Sequence, residues 1–160
     1  MLYATAGMKI FIGEEIEMKS EDFTEADFDT QTWTEIKGHV DLGSLGDAAE
    51  EITSERIGET RTKRIKGTRS SPAMELIVDI NPDDDGQAAL VAAERTIHDY
   101  AFKLEFNDAP PDGTPSERLF IAKVGSITEQ FNTANNVVRM SCSLWVNSNV
   151  VRIDAAEQVT

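Results

Sequence analysis

The groups in this chain that could carry chemistry are two histidines, one cysteine and 29 carboxylates. Catalysis or metal binding requires such groups at defined spacings. Neither His39 nor His98 stands in an H-E-x-x-H segment or at zinc-ligand spacing from the cysteine, so both read as surface or hydrogen-bonded side chains. The run Asn81, Asp83, Asp85, Gly86 opens like a calcium loop. Its twelfth position is Ala92 where a bidentate Glu is needed, and Pro82 further argues against it. GSLG at Gly43 to Gly46 is too short for a dinucleotide or phosphate loop, and G-x-S-x-G is absent. Carboxylates are so numerous that spacing alone nominates no glycosidase pair. The expectation is therefore no catalytic residue, no metal and no cofactor, in a chain that is not an enzyme.

The unusual chemistry lies in RIGETRTKRIKGTR, Arg56 to Arg69, which packs six of the fifteen cations into fourteen residues. Outside it, nine cations face 28 acids, and the net charge is -14. So anionic a surface repels nucleic-acid phosphates and other copies of itself. Alternation puts Arg61 and Lys63 with Ile65 on one face of an extended strand, and Arg64 and Lys66 with Thr62 on the other. Neither face suits a core, so the segment reads as an arm or long hairpin projecting from the domain. Two uses stay open. The cations could guard a solvated sheet edge against aggregation. Alternatively, the arm docks on an anionic surface, of which the nearest abundant one is another copy, and a contact between different patches of identical chains propagates as a filament.

The elements that would hold this arm show mostly two-residue periodicity. Met8, Ile10 and Ile12 alternate with polar or outward positions, Trp33 to Val40 forms a second candidate strand, and AMELIVDI puts Met74, Leu76, Val78 and Ile80 on one face. AFKLEF, ERLFIAKVGSI and VVRMSCSLWV continue the pattern, the last with Cys142 among its core positions. Trp33, Leu76, Leu104, Phe106 and Leu144 are the expected core anchors. One segment departs from the period: after NPDDD, the spacing of Leu90, Ala93, Ile97 and Ala101 predicts a helix from about Gln87 to Tyr100, with Asp83, Asp84 and Asp85 at its N-terminus. GEEIEMKSEDFTEADFDTQT carries eight acids from Glu14 to Asp29 against one cation, which predicts a long loop that is either mobile or a functional surface.

At 160 residues with 40% hydrophobic content, the chain reads as a single folded domain, 1–160. One cysteine excludes an internal disulfide framework, which suits a reducing compartment. MLYATAGMKI lacks a cationic region followed by an apolar run, and no stretch approaches a membrane span, so a soluble chain is expected.

This order of pieces resembles the tail tube proteins of long-tailed bacteriophages. WTEIKGHVDLGSLGDAAEEI leads to the cationic arm TRTKRIKGTRSS, then MELIVDI, one helix after DDDGQAAL, YAFKLEF and two final strands, a span of about Met8 to Val151. The resemblance implies a mainly β fold, an antiparallel β-sandwich or barrel with one flanking helix and a long basic hairpin arm. It further implies hexameric rings that stack into a tube conducting DNA from capsid to host, assembled in the host cytoplasm and ending in the virion tail, with the chain itself and other tail proteins as partners. On that basis Arg61, Lys63, Arg64 and Lys66 are ring-stacking residues, and Glu75, Asp79 and Glu105 are candidates for the lumen, past which DNA moves without specific binding. Relatives of the family, the type VI secretion tube and gene-transfer-agent tails, share these patterns. A nucleic-acid-binding β-barrel module is the rival of another class. It lacks the interleaved aromatics that stacking on bases needs, since Arg56 to Arg69 holds no Phe, Tyr or Trp.

Overall fold

The computed structural model describes residues 4–156, so the ends of the expected 1–160 domain lie outside the described residues. Its strands are β1 (Lys9–Glu15), β2 (Thr34–Ile36), β3 (His39–Asp41), β4 (Ala48–Ser54), β5 (Lys63–Ser70), β6 (Met74–Asp79), β7 (Tyr100–Glu105), β8 (Glu117–Gln130), β9 (Arg139–Val146) and β10 (Val151–Ile153). One α-helix, α1 (Asp85–Glu94), lies between β6 and β7. Eight strands form one antiparallel sheet in the order β2-β1-β7-β8-β9-β6-β3, with β10 paired to the start of β8. The other two, β4 and β5, pair only with each other.

Connectivity dictates the shape of the large sheet. Its two edge strands, β2 and β3, are separated in the chain only by Lys37 and Gly38. Three Cα–Cα steps reach about 11 Å at most. The sheet must therefore coil until its edges almost meet, although β2 and β3 do not pair and the barrel stays open. Gly38 makes the turn at φ +81°, a conformation costly for residues with a Cβ, and so splits the expected strand Trp33 to Val40 in two. The mainly antiparallel β fold with one α-helix and a hairpin arm is as expected, built as one coiled sheet.

The N-terminus of α1 plugs the gap between the edges. The Asp84 carboxylate caps the helix, accepting from the Gln87 N–H at 3.2 Å, and also accepts from the Lys37 N–H at 3.0 Å. Gln87 Nε2 donates to the carbonyls of Lys37 and Asp79, while its Oε1 accepts from the Asn81 N–H. Both side chains are buried, and besides the cap itself their contacts tie the helix to the β2–β3 turn and to the end of β6. Gly86 lets the helix press this close, because a Cβ there would run into the Glu35 carbonyl and the Ile36 Cα. The expected capping role of the Asp cluster thus falls to Asp84. The helix ends at Glu94 rather than near Tyr100. Thr96 turns back through its hydroxyl onto the Ala93 carbonyl, and Asp99 is held by Lys123 and Asn147, which starts β7. Ile97, expected on the helix face, is exposed, and Ala101 is buried in β7.

Inside the coil, the alternating residues close a single core: Ile10, Ile12, Leu76, Phe102, Phe120 and Leu144 are all buried, with Leu90 and Ala93 of α1 joining them. Phe102 stacks on Phe120 at 5.5 Å between ring centroids. Cys142 is a core residue as expected, and burial, helped by the Glu75 charge, pushes its thiol up to about 12. Two expected core anchors lie elsewhere. Phe106 is half-buried just past the end of β7, beneath Arg118. Trp33 belongs to a second cluster on the outer face of the sheet, where Phe23 and Phe28 of the acidic segment pack over Ala101, Leu119 and Ile121. That segment is therefore no loose loop. The Asn149 side chain ties it down through both the N–H and the carbonyl of Phe23.

Candidate functional site

The arm is the β4–β5 hairpin, and its register pairs Glu51 with Lys66, Ile52 with Ile65, Thr53 with Arg64 and Ser54 with Lys63. One face carries the Ile52–Ile65 pair, the other Glu51, Lys66, Thr53 and Arg64. All four predicted arm cations, Arg61, Lys63, Arg64 and Lys66, are exposed. Two are partly neutralised within the arm: Arg64 Nε lies 3.2 Å from Glu51, and Lys63 Nζ lies 3.4 Å from Glu59. Among the described residues, Arg61 and Lys66 make no ion pair. From Ala48 to Ser70 the hairpin holds six cations against four acids, so it is less one-sidedly basic than Arg56 to Arg69 alone. Sequence reading missed Glu50 and Glu51 as arm residues because they fall before the basic run. It also missed two exposed isoleucines, Ile52, which pairs with Ile65, and Ile57, which stands free at the turn.

The lumen candidates share the outer face of the sheet but do not form one patch. Glu75 on β6 is exposed and opposes Ser143, which in turn opposes Ser126 on β8. Asp79, on the same strand, pairs with Arg139 at 3.0 Å. This half of the outer face is uncovered and rich in hydroxyls: Ser126, Thr128, Ser141 and Ser143. Glu105 sits on β7 opposite Glu117, at the other end of β8 and roughly 30 Å along it at about 3.3 Å per residue. There it is half-buried and paired with Lys103, whose ammonium lies over the rings of Phe11 and Trp33. Burial raises the Glu117 carboxyl above its ordinary range, Lys103 opposes that shift and the Glu105 charge adds to it. Glu105 thus belongs to a packed ionic cluster beside the aromatic flap, apart from the open face.

A cavity of about 1130 Å³ opens at the end of the coil where β7 and β9 finish and β8 begins. Its floor includes Met8, Leu42, Met74, Leu104, Phe106 and Val146, and the base of the arm forms part of its rim. The histidines stay apart from all of this. His98 Nδ1 lies 3.0 Å from Glu15, whereas His39 is half-buried with its Nδ1 unpartnered. Among the described residues, no three His, Cys, Asp or Glu side chains are placed to hold a metal ion. No helix there is long and apolar enough to cross a membrane.

No protein-family model and no curated protein matches the chain in sequence. Solved structures match its fold over nearly the whole length. The SPP1 tail tube superposes with a TM-score of 0.65 over 98% of this chain and 81% of that one, at 15% identity. A chain of the anti-feeding prophage baseplate gives 0.70 over 96% and 97%, at 9% identity. The chain has a phage tail tube fold. A chain of the sheath/tube terminator of an extracellular contractile injection system, PVC, gives 0.68 over 96% and 97%, at 12% identity. The same fold is thus found in a phage tail tube, in a prophage baseplate and in an injection-system sheath/tube terminator.

Proposed function

We propose that this chain is a structural subunit of a tail tube, whose copies form rings of six that stack into a conduit for DNA. The observation that carries the reading is the arm: a two-stranded hairpin paired with no other strand, on a tail tube fold, with exposed cations and isoleucines. An isolated two-stranded ribbon is marginal in water and gains stability by packing on something else. The arm is more basic than the acidic body, which favours another copy as its support. In this reading Arg61, Lys63, Arg64 and Lys66 contact the neighbouring ring. Glu75 and Asp79, on the open hydroxyl-rich face, border the lumen, where negative charge keeps moving DNA unbound. Glu105 is reassigned to packing within the subunit.

A second reading, a tube or terminator protein of a contractile injection system, is favoured by the fuller coverage of those two neighbours, 97% against 81% for the phage tube. Electron microscopy of concentrated protein separates a tube subunit, of a phage or of an injection system, from a terminator. Long hollow filaments support a tube subunit and isolated rings a terminator, while a chain that stays monomeric at every concentration overturns both. The rival nucleic-acid module requires DNA binding by the free chain with a clear salt dependence.

A further inference from the structure

Arg118 on β8 and Arg152 on β10 are direct cross-strand partners. Like charges placed directly opposite each other destabilise a sheet. Neither makes an ion pair among the described residues: the Asp108 carboxyl, held below its ordinary value by hydrogen bonds from Ser116, also feels the Arg118 charge but forms no salt bridge with it. Arg118 lies over the Phe106 ring at 4.6 Å and donates to the Glu117 carbonyl, contacts that orient its guanidinium without discharging it. Of the acids lining the same cavity, Asp47 is engaged by Arg69 at 3.7 Å, and Asp22 makes no ion pair. In a chain of net charge -14, two adjacent unpaired arginines above an apolar floor are a site that an anion with an apolar neighbour would complete.

Such a segment exists on the arm. At its tip, Arg56 to Glu59 form a tight turn closed by the Glu59 N–H on the Arg56 carbonyl. Ile57 projects from it fully exposed, and Glu55, which makes no ion pair among the described residues, precedes it. The arm cannot serve its own cavity. Its base, at Asp47 and Arg69 to Ser71, is already on the rim, and seven strand residues at about 3.3 Å each carry the tip roughly 20 Å away.

We propose that the Arg118–Arg152 pair and the cavity beneath it receive the arm tip of a second copy, with Ile57 entering the apolar floor and the Glu55 carboxylate bridging the two guanidiniums. This rests on the tube reading and names the receptor for its arm. The contact polarity at the tip is the reverse of that along the arm shaft: acid on the arm, cations on the body.

The test uses the full chain in four forms: unaltered, Arg152→Glu, Glu55→Arg, and the two changes together. Association is followed by light scattering at about 0.05 M salt, where screening is weak. Each single change should raise the concentration needed for assembly by at least about tenfold, and the combination should recover most of that loss. Thermal unfolding of Arg152→Glu should occur no earlier than that of the unaltered chain, since the change removes a like-charge pair. Unchanged assembly of either single variant, or no recovery in the combination, overturns the proposal while leaving the tube reading standing. A monomeric unaltered chain overturns both. Binding of duplex DNA that Arg152→Glu abolishes would give the pair to a nucleic acid instead and overturn it too.

Discussion

The Gln87 side-chain amide donates to the Lys37 carbonyl at 2.8 Å, joining a helix to a turn fifty residues earlier in the chain. The same nitrogen reaches the Asp79 carbonyl, at the end of β6 next to the edge strand β3, at 2.9 Å. One buried side chain thus ties the turn joining the two edge strands to the end of β6, in a sheet that does not close by strand pairing. An open seam between β2 and β3 leaves unpaired sheet edges that invite pairing with other chains, so holding it closed guards against aggregation.

Replacing Gln87 with Leu should therefore cost far more than a lost surface contact. It leaves the Lys37 and Asp79 carbonyls and the Asn81 N–H without partners in a partly buried seam, each with a penalty of about 1–3 kcal/mol if water cannot reach it. Urea unfolding should show a loss of about 2–5 kcal/mol after allowing for partial solvation. A loss below about 0.5 kcal/mol, the range of ordinary surface changes, would mean that the seam is held by something else.

Most of the sheet was legible because one of its faces is uniformly apolar. Leu76, Leu104, Cys142 and Leu144 follow strict alternation and are buried as their positions require. What escaped was information that no local period carries. Ile36 and His39 look like neighbours in one strand but sit on opposite edges, since a single positive-φ glycine divides them. Trp33 and Phe106 are large and apolar, yet Trp33 packs on the second, partly covered face of the sheet and Phe106 lines the cavity at the open end of the coil. The arm was visible as a basic run, but its acidic partner strand depended on register, which pairs Glu51 with Lys66. The Arg118–Arg152 pairing depended on a short final strand that alternation alone could not place.

Acid should loosen the aromatic flap before it unfolds the core. Lys19 and the Thr24 N–H hold the Asp27 carboxyl below its ordinary value of 3.8, and the Ser116 hydroxyl and N–H do the same for Asp108. A carboxyl depressed in the folded state adds stability above its unfolded value, and that stability fades as pH falls through the lowered folded value. The acid limb below about pH 4 should therefore be less steep in Asp27→Asn and Asp108→Asn than in the unaltered chain. Identical limbs, measured by flap-aromatic fluorescence and far-UV circular dichroism, would contradict the assignment.

In the free subunit, amide exchange should be fast throughout β4 and β5 and slow in β7, β8 and β9. The hairpin buries almost nothing to offset the entropy of ordering it. Assembly should slow exchange in the arm selectively. Equal protection of the arm in free and assembled protein would mean that it is a rigid surface feature with no partner.

Reversing charge on the arm shaft, Arg64→Glu with Lys66→Glu, should abolish assembly while leaving the subunit folded. Both side chains are exposed, and their partner in the hairpin is Glu51, itself exposed, so unfolding should shift by about 0.5 kcal/mol or less. Single exposed ion pairs contribute about 0.2–1 kcal/mol, but a ring of six repeats each contact at every stacking step, so the sum becomes decisive. Normal filaments from the folded double variant, at about 0.05 M salt where screening is weak, would return these cations to the guarding of a solvated edge.

The open face offers a separate test, because in the proposed tube it would repel DNA. Glu75 is exposed and faces a row of hydroxyls, so Glu75→Lys with Ser143→Lys would place two cations per subunit where an acid and a neutral group now stand. If this face borders the lumen, assembled tubes of the variant should retain duplex DNA that unaltered tubes release. The retention should weaken steeply with salt, since each neutralised phosphate contributes a slope of about -0.9 in log K against log salt. The same changes on a face turned outward would instead let DNA coat the tube, which electron microscopy distinguishes from DNA held inside. Coated tubes with an empty lumen would move the channel away from β6 and β9, whereas filled tubes would fix these two strands as its lining.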